Sequence, residues 1–278
     1  MTTYLSPSTP AAAVQEPVPT GPGARARRRR PGFGWLRRWV SPVAIVLVWQ
    51  LLSSTGVLDE RTLAAPTQIL ATGVEYTASG VLPEAILASL QRVLLGFVIG
   101  AVIALVLAVV AGLSRIGEDA IDPPMQMLRT LPHFGLITLF IIWMGIGEAP
   151  KVALIALGVV FPLYLNTFAG IRGIDRKILE AARSMHLTRA QRIRHVVLPG
   201  ALPQALVGLR QSLGIAWLSL IVAETIAPQT GLGHMINQAK EFLQIDVIVL
   251  GLAVYSLLGL GTDAIVRYLE RKALAWRA

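Results

Sequence analysis

Residues Val93 to Leu113 contain no charged side chain, and that one run decides which folds are open to the chain. A helix rises ~1.5 Å per residue, so a run of this length covers about 30 Å of hydrocarbon, the thickness of a bilayer core. The rest of the chain agrees. Of its 278 residues 54% are hydrophobic and 15% charged, which leaves too little polar surface for a soluble globule of this size. The expected fold class is all-α, a polytopic membrane protein.

Five further apolar stretches bring the expectation to six transmembrane helices: Val40 to about Leu58, Met125–Gly147, Val152–Ile171, Gln204–Ala223 and Ile245–Val266. Pro132 breaks the third and Pro162 lies inside the fourth; neighbouring helices can satisfy the carbonyl groups that such prolines free. From Asp59 to about Ala88 a loop is expected, with one amphipathic helix over Pro66–Tyr76. Ser114–Pro124, with Arg115, Glu118, Asp119 and Asp122, reads as a solvated loop, since it matches no calcium loop and has no histidine nearby. Pro228, Gly231 and Gly233 predict a turn and a short helix up to Gln244. Gly96 and Gly100 form a G-x-x-x-G, which permits close helix approach, either within the chain or at a dimerisation seam.

Residues 1–38 are expected to be a disordered basic tail. Met1–Pro22 lacks apolar periodicity, and Arg25, Arg27–Arg30, Arg37 and Arg38 then precede the first apolar stretch. A signal peptide is the competing reading. The distance from Met1 and the lack of an A-x-A-like site after the apolar stretch favour a retained helix. Residues 39–278 form the six-helix domain. With the N-terminus inside, Arg172, Arg176, Lys177, Arg183, Arg189, Arg192, Arg194 and the C-terminal cluster of Arg267, Arg271, Lys272 and Arg277 also fall inside. Arg61, Arg92 near a membrane boundary, Lys151 and Lys240 fall outside. Both termini are therefore expected to be cytoplasmic.

The most polar internal segment, 175–203, is predicted to form an elbow of two short helices. Asp175 can cap the first, on which Ile178, Ala182 and Met185 share a face. His186 and Leu187 interrupt the pattern, and Thr188 with Gln191 has the spacing of a capping box. Pro199 predicts that the second helix stops near Val197 and that the chain turns there.

Glu180-Ala181-Ala182, then three residues, a turn position and nine further residues, then Val196-Val197-Leu198-Pro199, resemble the cytoplasmic loop of ATP-binding-cassette importer permeases. LRTLPHFGLITLFIIWMGIGE, from Leu128 to Glu148, is similar to the nitrate, sulfonate and taurine branch of that family. The resemblance implies a coupling helix that docks on a separate ATPase, with contacts from Glu180, Ala181, Ala182, Arg183, Ser184, Met185, His186, Leu187, Leu198 and Pro199. Glu180 could pair with an arginine of the partner, or locally with Arg176 and Arg183. His186 stands where the family usually has glycine, so the position can be left-handed, or right-handed with the elbow bent differently.

The resemblance also implies an extracytoplasmic solute-binding protein, a second permease copy as a homodimer, and a bacterial plasma membrane. It implies no cofactor bound by this chain, ATP and magnesium being held by the partner ATPase. The chain itself has no G-x-x-x-x-G-K-[ST]. His133, His186, His195 and His234 are too scattered for a zinc site or a catalytic triad, and without cysteine there are no thiolate sites. No enzyme activity and no metal is expected. Nucleic acid is excluded as a partner because the arginines cluster beside apolar spans. Polar groups at membrane depth are candidates for the solute path: Arg129, Asn166, Arg210 and Glu224. Trp143 and Trp217 read as anchors or packing. The expected solute is a small organic anion such as an aliphatic sulfonate or taurine; nitrate, bicarbonate or a heterocyclic vitamin precursor are alternatives, and a stand-alone secondary transporter is the rival class.

Overall fold

A computed structural model describes residues 34–59 and 62–275, with side chains from Val40 onward. Residues 1–33 of the expected disordered tail, Arg61 and Arg277 lie outside the described residues; residues 34–38, expected in the tail, are instead the first turn of a helix. The chain divides into two units, Met1–Ile45 and Val46–Ala278. The first unit contributes the start of α1 (Gly34–Ser54). The second holds the remainder of α1, then α2 (Pro66–Ala78), α3 (Val81–Leu113), α4 (Arg115–Leu128), a 3-10 turn (His133–Leu136), α5 (Ile137–Met144) and α6 (Glu148–Arg172). It continues through α7 (Arg176–Ser184), α8 (Arg189–Arg192), a π turn (Ile193–Val197), α9 (Leu198–Ile226), α10 (Leu232–Glu241) and α11 (Ile245–Ala273). Among the described residues there is no strand, so the fold is all-α.

The expected six spans are not reproduced one for one. Among the described residues four helices are long and apolar enough to cross a bilayer: α3, α6, the continuous run from Arg189 to Ile226, and α11. In α1 the apolar part, Val40–Ser54, is shorter than the ~20 residues a span requires. The third expected span is two pieces, α4 and the 3-10 turn with α5, bent by 88°. Pro132 at the break has no amide hydrogen to continue the ladder.

Three other boundaries move. α3 starts at Val81, twelve residues before the uncharged run, because Leu82, Ala85, Ser89 and Arg92 are buried on one helical face. Ser114–Pro124 is not a loop. Ser114 caps α4 by accepting from the Gly117 amide at 3.2 Å, and Asp122 accepts from the Tyr164 hydroxyl of α6 at 3.2 Å. The amphipathic helix expected at Pro66 is present as α2, and the short helix after Gly231 as α10.

α6 is the centre of the packing, with α3 along one side and α9 along the other. Over its most apolar window 56% of α6 is buried, against 28% in α3 and 22% in α11, whose outer faces remain free for hydrocarbon. The α3–α6 seam depends on Gly96 and Gly100. A Cβ on Gly100 would stand 2.4 Å from the carbonyl oxygen of Ala156, and one on Gly96 2.6 Å from the Ile155 side chain. The G-x-x-x-G is thus an intramolecular seam.

Candidate functional site

The elbow is built by local rules. Asp175 accepts from the Lys177 amide at 2.9 Å and starts α7. At its other end the His186 amide donates to Arg183 O (2.9 Å) and the Leu187 amide to Ala182 O (3.3 Å), the paired bonds of a left-handed helix terminus. His186 accordingly has φ of +55°. Thr188 and Gln191 make both halves of the capping box, at 3.3 and 2.9 Å. Replacing His186 by glycine removes the steric cost of a Cβ in this conformation, on the order of 1 kcal/mol. His186→Gly is expected to raise the unfolding midpoint in detergent; a lowered midpoint would show that the ring contributes more than its backbone costs.

The faces of α7 are not as the pattern of Ile178, Ala182 and Met185 suggests. Ala182 is turned inward, 4% exposed, while Met185 is 73% exposed and Ile178 also faces out. Leu179 is the other inward residue, against Ile171, Val197 and Ala201. Ala182 therefore sets how closely α7 approaches its own spans and is not an outward contact. Glu180, Ala181, Arg183 and Ser184 are exposed. Among the described residues Glu180 makes no ion pair with Arg176 or Arg183, so its carboxylate stays available to a partner.

Pro199 does not turn the chain. The helix runs on from α8 into α9 through the π turn, in which the Leu198 amide reaches back to Ile193 O. Proline is tolerated in the first turn of the new α-helical register, and the shift absorbs its missing donor. Leu198 is exposed and Pro199 half-buried at this junction.

The four path candidates do not converge. Exposed Arg129 and half-buried Asn166 share a groove of about 390 Å³ with Gln211 and Ile215. Asn166 bonds Gln211 at 2.9 Å and Gln204 at 2.9 Å, an amide chain between α6 and α9. Arg210 lines a different groove of about 500 Å³ beside Trp217 and Tyr255 and pairs with Asp263 at 2.8 Å. Trp217 is buried and donates to Thr262 at 3.0 Å, whereas Trp143 is exposed.

Glu224 lines neither groove and is 0% exposed. Its carboxylate accepts from Ser89 (2.8 Å), the Gly233 amide (2.8 Å), the Tyr255 hydroxyl (2.6 Å) and the Arg92 guanidinium. Arg92 also contacts Glu148, Thr230 O (2.8 Å) and the Thr230 hydroxyl, and buried Lys151 bonds Glu148 at 3.1 Å. The network ties α3, α6, α9, α10 and α11 together. Arg92 and Lys151, expected at an outer boundary and in an outer loop, are instead interior members of it. A basic residue so near the start of an uncharged run carries no local sign that its carboxylate lies 132 positions away.

Comparison with known proteins agrees with this architecture. The family described as "Binding-protein-dependent transport system inner membrane component" matches residues 96–274. The chain is 43% identical over 257 residues to a protein of Bacillus subtilis named putative aliphatic sulfonates transport permease protein SsuC, covering 91% of this chain and 93% of that one. It is 47% identical over 245 residues to the protein of that name from Escherichia coli, covering 87% and 93%. A crystal structure of an amino acid ABC transporter with histidines has the same fold, with a TM-score of 0.61 at 20% identity over 73% of this chain and 97% of that one.

Proposed function

The chain belongs to the family of binding-protein-dependent transport system inner membrane components, and from that premise we propose that it passes a small organic anion, an aliphatic sulfonate first, across the plasma membrane. It is the permease subunit of an ATP-binding-cassette importer, a transport component and not an enzyme. The observation that carries the choice of solute is the similarity to aliphatic sulfonate permeases along nine tenths of the chain. The groove at Arg129 supports it, since a guanidinium beside the amides of Asn166 and Gln211 offers several donors to the oxygens of a sulfonate.

In the proposed cycle, ATPase subunits that hold ATP and magnesium dock on the elbows of two copies of this chain, and a solute-binding protein delivers the anion on the far side. Glu180, with Ala181, Arg183, Ser184 and Met185, forms the exposed docking face; His186 and Leu187 fix its end. Both termini lie on the ATPase side in this arrangement, the side to which positive charge is directed.

The test is the reconstituted complex with its ATPase and binding protein. ATP hydrolysis should rise when the binding protein is loaded with an aliphatic sulfonate. Glu180→Lys should reduce co-purification of the ATPase at least tenfold, on the order of a lost charge-assisted bond plus repulsion, while membrane insertion stays normal. Undiminished co-purification with normal transport removes the role given to Glu180. A neutral or cationic best ligand removes the solute assignment.

A further inference from the structure

Beside the elbow, at the edge of the docking face that Arg183 shares, four arginines line one cavity of about 300 Å³: Arg172 from the end of α6, Arg183 from α7, and Arg189 and Arg192 from α8. That volume is at the lower end of small-ligand pockets, ~300–1,000 Å³. Between positions 172 and 195 the chain has seven arginines and lysines against two carboxylates, Asp175 and Glu180, and neither carboxylate lines the cavity. Asp175 caps α7 and Glu180 faces outward.

The local counterions do not saturate the arginines. Glu118 of α4 pairs with Arg172 at the rim. Arg192 Nε is buried and has no hydrogen-bond partner. A buried donor left unmade is costly, and an oxygen-rich anion seated in the cavity would supply the missing acceptor.

We propose that this cavity binds a phosphate group, that of an anionic phospholipid headgroup in the adjoining leaflet. Guanidinium forks match phosphate oxygens in pairs, and four of them from three elements enclose a polyanion better than a single charge. The position selects the lipid. Gly112 and Leu113 at the end of α3 and Ile171 at the end of α6 border the cavity, so it lies at the level where two apolar spans stop. Val110 and Ile116, two residues before Gly112 and three after Leu113 in the chain, are exposed apolar side chains against which an acyl chain can lie. Basic pockets between spans at this depth are suited to anionic headgroups. The assignment to the cytoplasmic leaflet rests on the reading under Proposed function; the binding itself does not.

The experiment uses the full chain with its ATPase, delipidated in detergent, and needs no transport, so failure to carry sulfonate leaves it intact. Short-chain phosphatidylglycerol, phosphatidylcholine and inorganic phosphate are titrated separately, with bound ligand counted by native mass spectrometry. Phosphatidylglycerol should bind in preference to phosphatidylcholine, weaken with added salt, and lose roughly 30-fold in affinity in the Arg189→Gln, Arg192→Gln double variant, with ATPase co-purification unchanged. The Arg189→Lys, Arg192→Lys variant keeps the charges and should retain most of the binding, which separates charge loss from misfolding. Inorganic phosphate binding as tightly as the lipid would uphold the site with a soluble anion as its ligand. Equal binding of the two lipids, or unchanged affinity in the glutamine variant, would overturn the proposal.

Discussion

Arg92→Met is expected to cost ~3–5 kcal/mol of stability, the range for removing one partner of a buried ion pair. The change strands Glu224, which has no exposed surface, and takes donors from Glu148 and from the Thr230 carbonyl. The measurement is the thermal unfolding midpoint of the purified chain in detergent. The double variant Arg92→Met, Glu224→Leu should recover a large part of the loss, because a well-packed apolar pair avoids the desolvation of two charges. Recovery will be incomplete, since Ser89 and Tyr255 then lose their acceptor. A single variant as stable as the parent would show that solvent reaches Glu224.

The second large effect is expected at the α3–α6 seam. Gly100→Val should destabilise by about 3 kcal/mol, at the upper end of overpacking costs, because the obstacle is backbone, the Ala156 carbonyl, which cannot rotate aside. Gly214 in α9 is the control. Nothing stands within 4 Å of a Cβ there, so Gly214→Ala should be neutral or stabilising by up to ~1 kcal/mol from helix propensity. The same unfolding assay reads both. Equal midpoints for the two variants would mean that the helices separate freely at Gly100.

Which features were legible in the sequence follows from the range of the forces that make them. The capping box at Thr188 and Gln191 and the left-handed position at His186 are fixed within a few residues, so their spacing is visible. Likewise Gly96 and Gly100 need only one closely packed neighbour to explain them. Leu243 also has φ of +55° at the end of α10, and nothing in the sequence signals it, since leucine gives no hint of a left-handed position. The place of Arg92 is not legible locally, because a charge beside an apolar run looks like a membrane boundary and its carboxylate lies far away in the chain, on α9. Pro199 looked like a stop because the rule for proline assumes an uninterrupted α register, and the π turn before it changes that register. In the third span Pro132 marks where the helix breaks, but hydropathy averages over it and cannot give the angle, a bend of 88°. Of the candidate path, Arg129 and Asn166 share a groove, and only the packing of α6 on α9 brings them together.

The uninterrupted run from Arg189 to Ile226 also has a mechanical meaning. From Arg189 to Glu224 is about 50 Å of helix at ~1.5 Å per residue, a connecting rod with the capped elbow at one end and the Arg92–Glu224 clamp at the other. A rod of this kind does not dissipate a push at Pro199, where a hinged chain would. Displacement at the elbow must either carry the clamp and α10 with it or be taken up at Ile193–Val197, where one extra residue per turn can be passed along or expelled. The compliance of the whole transmission is thereby concentrated in five residues.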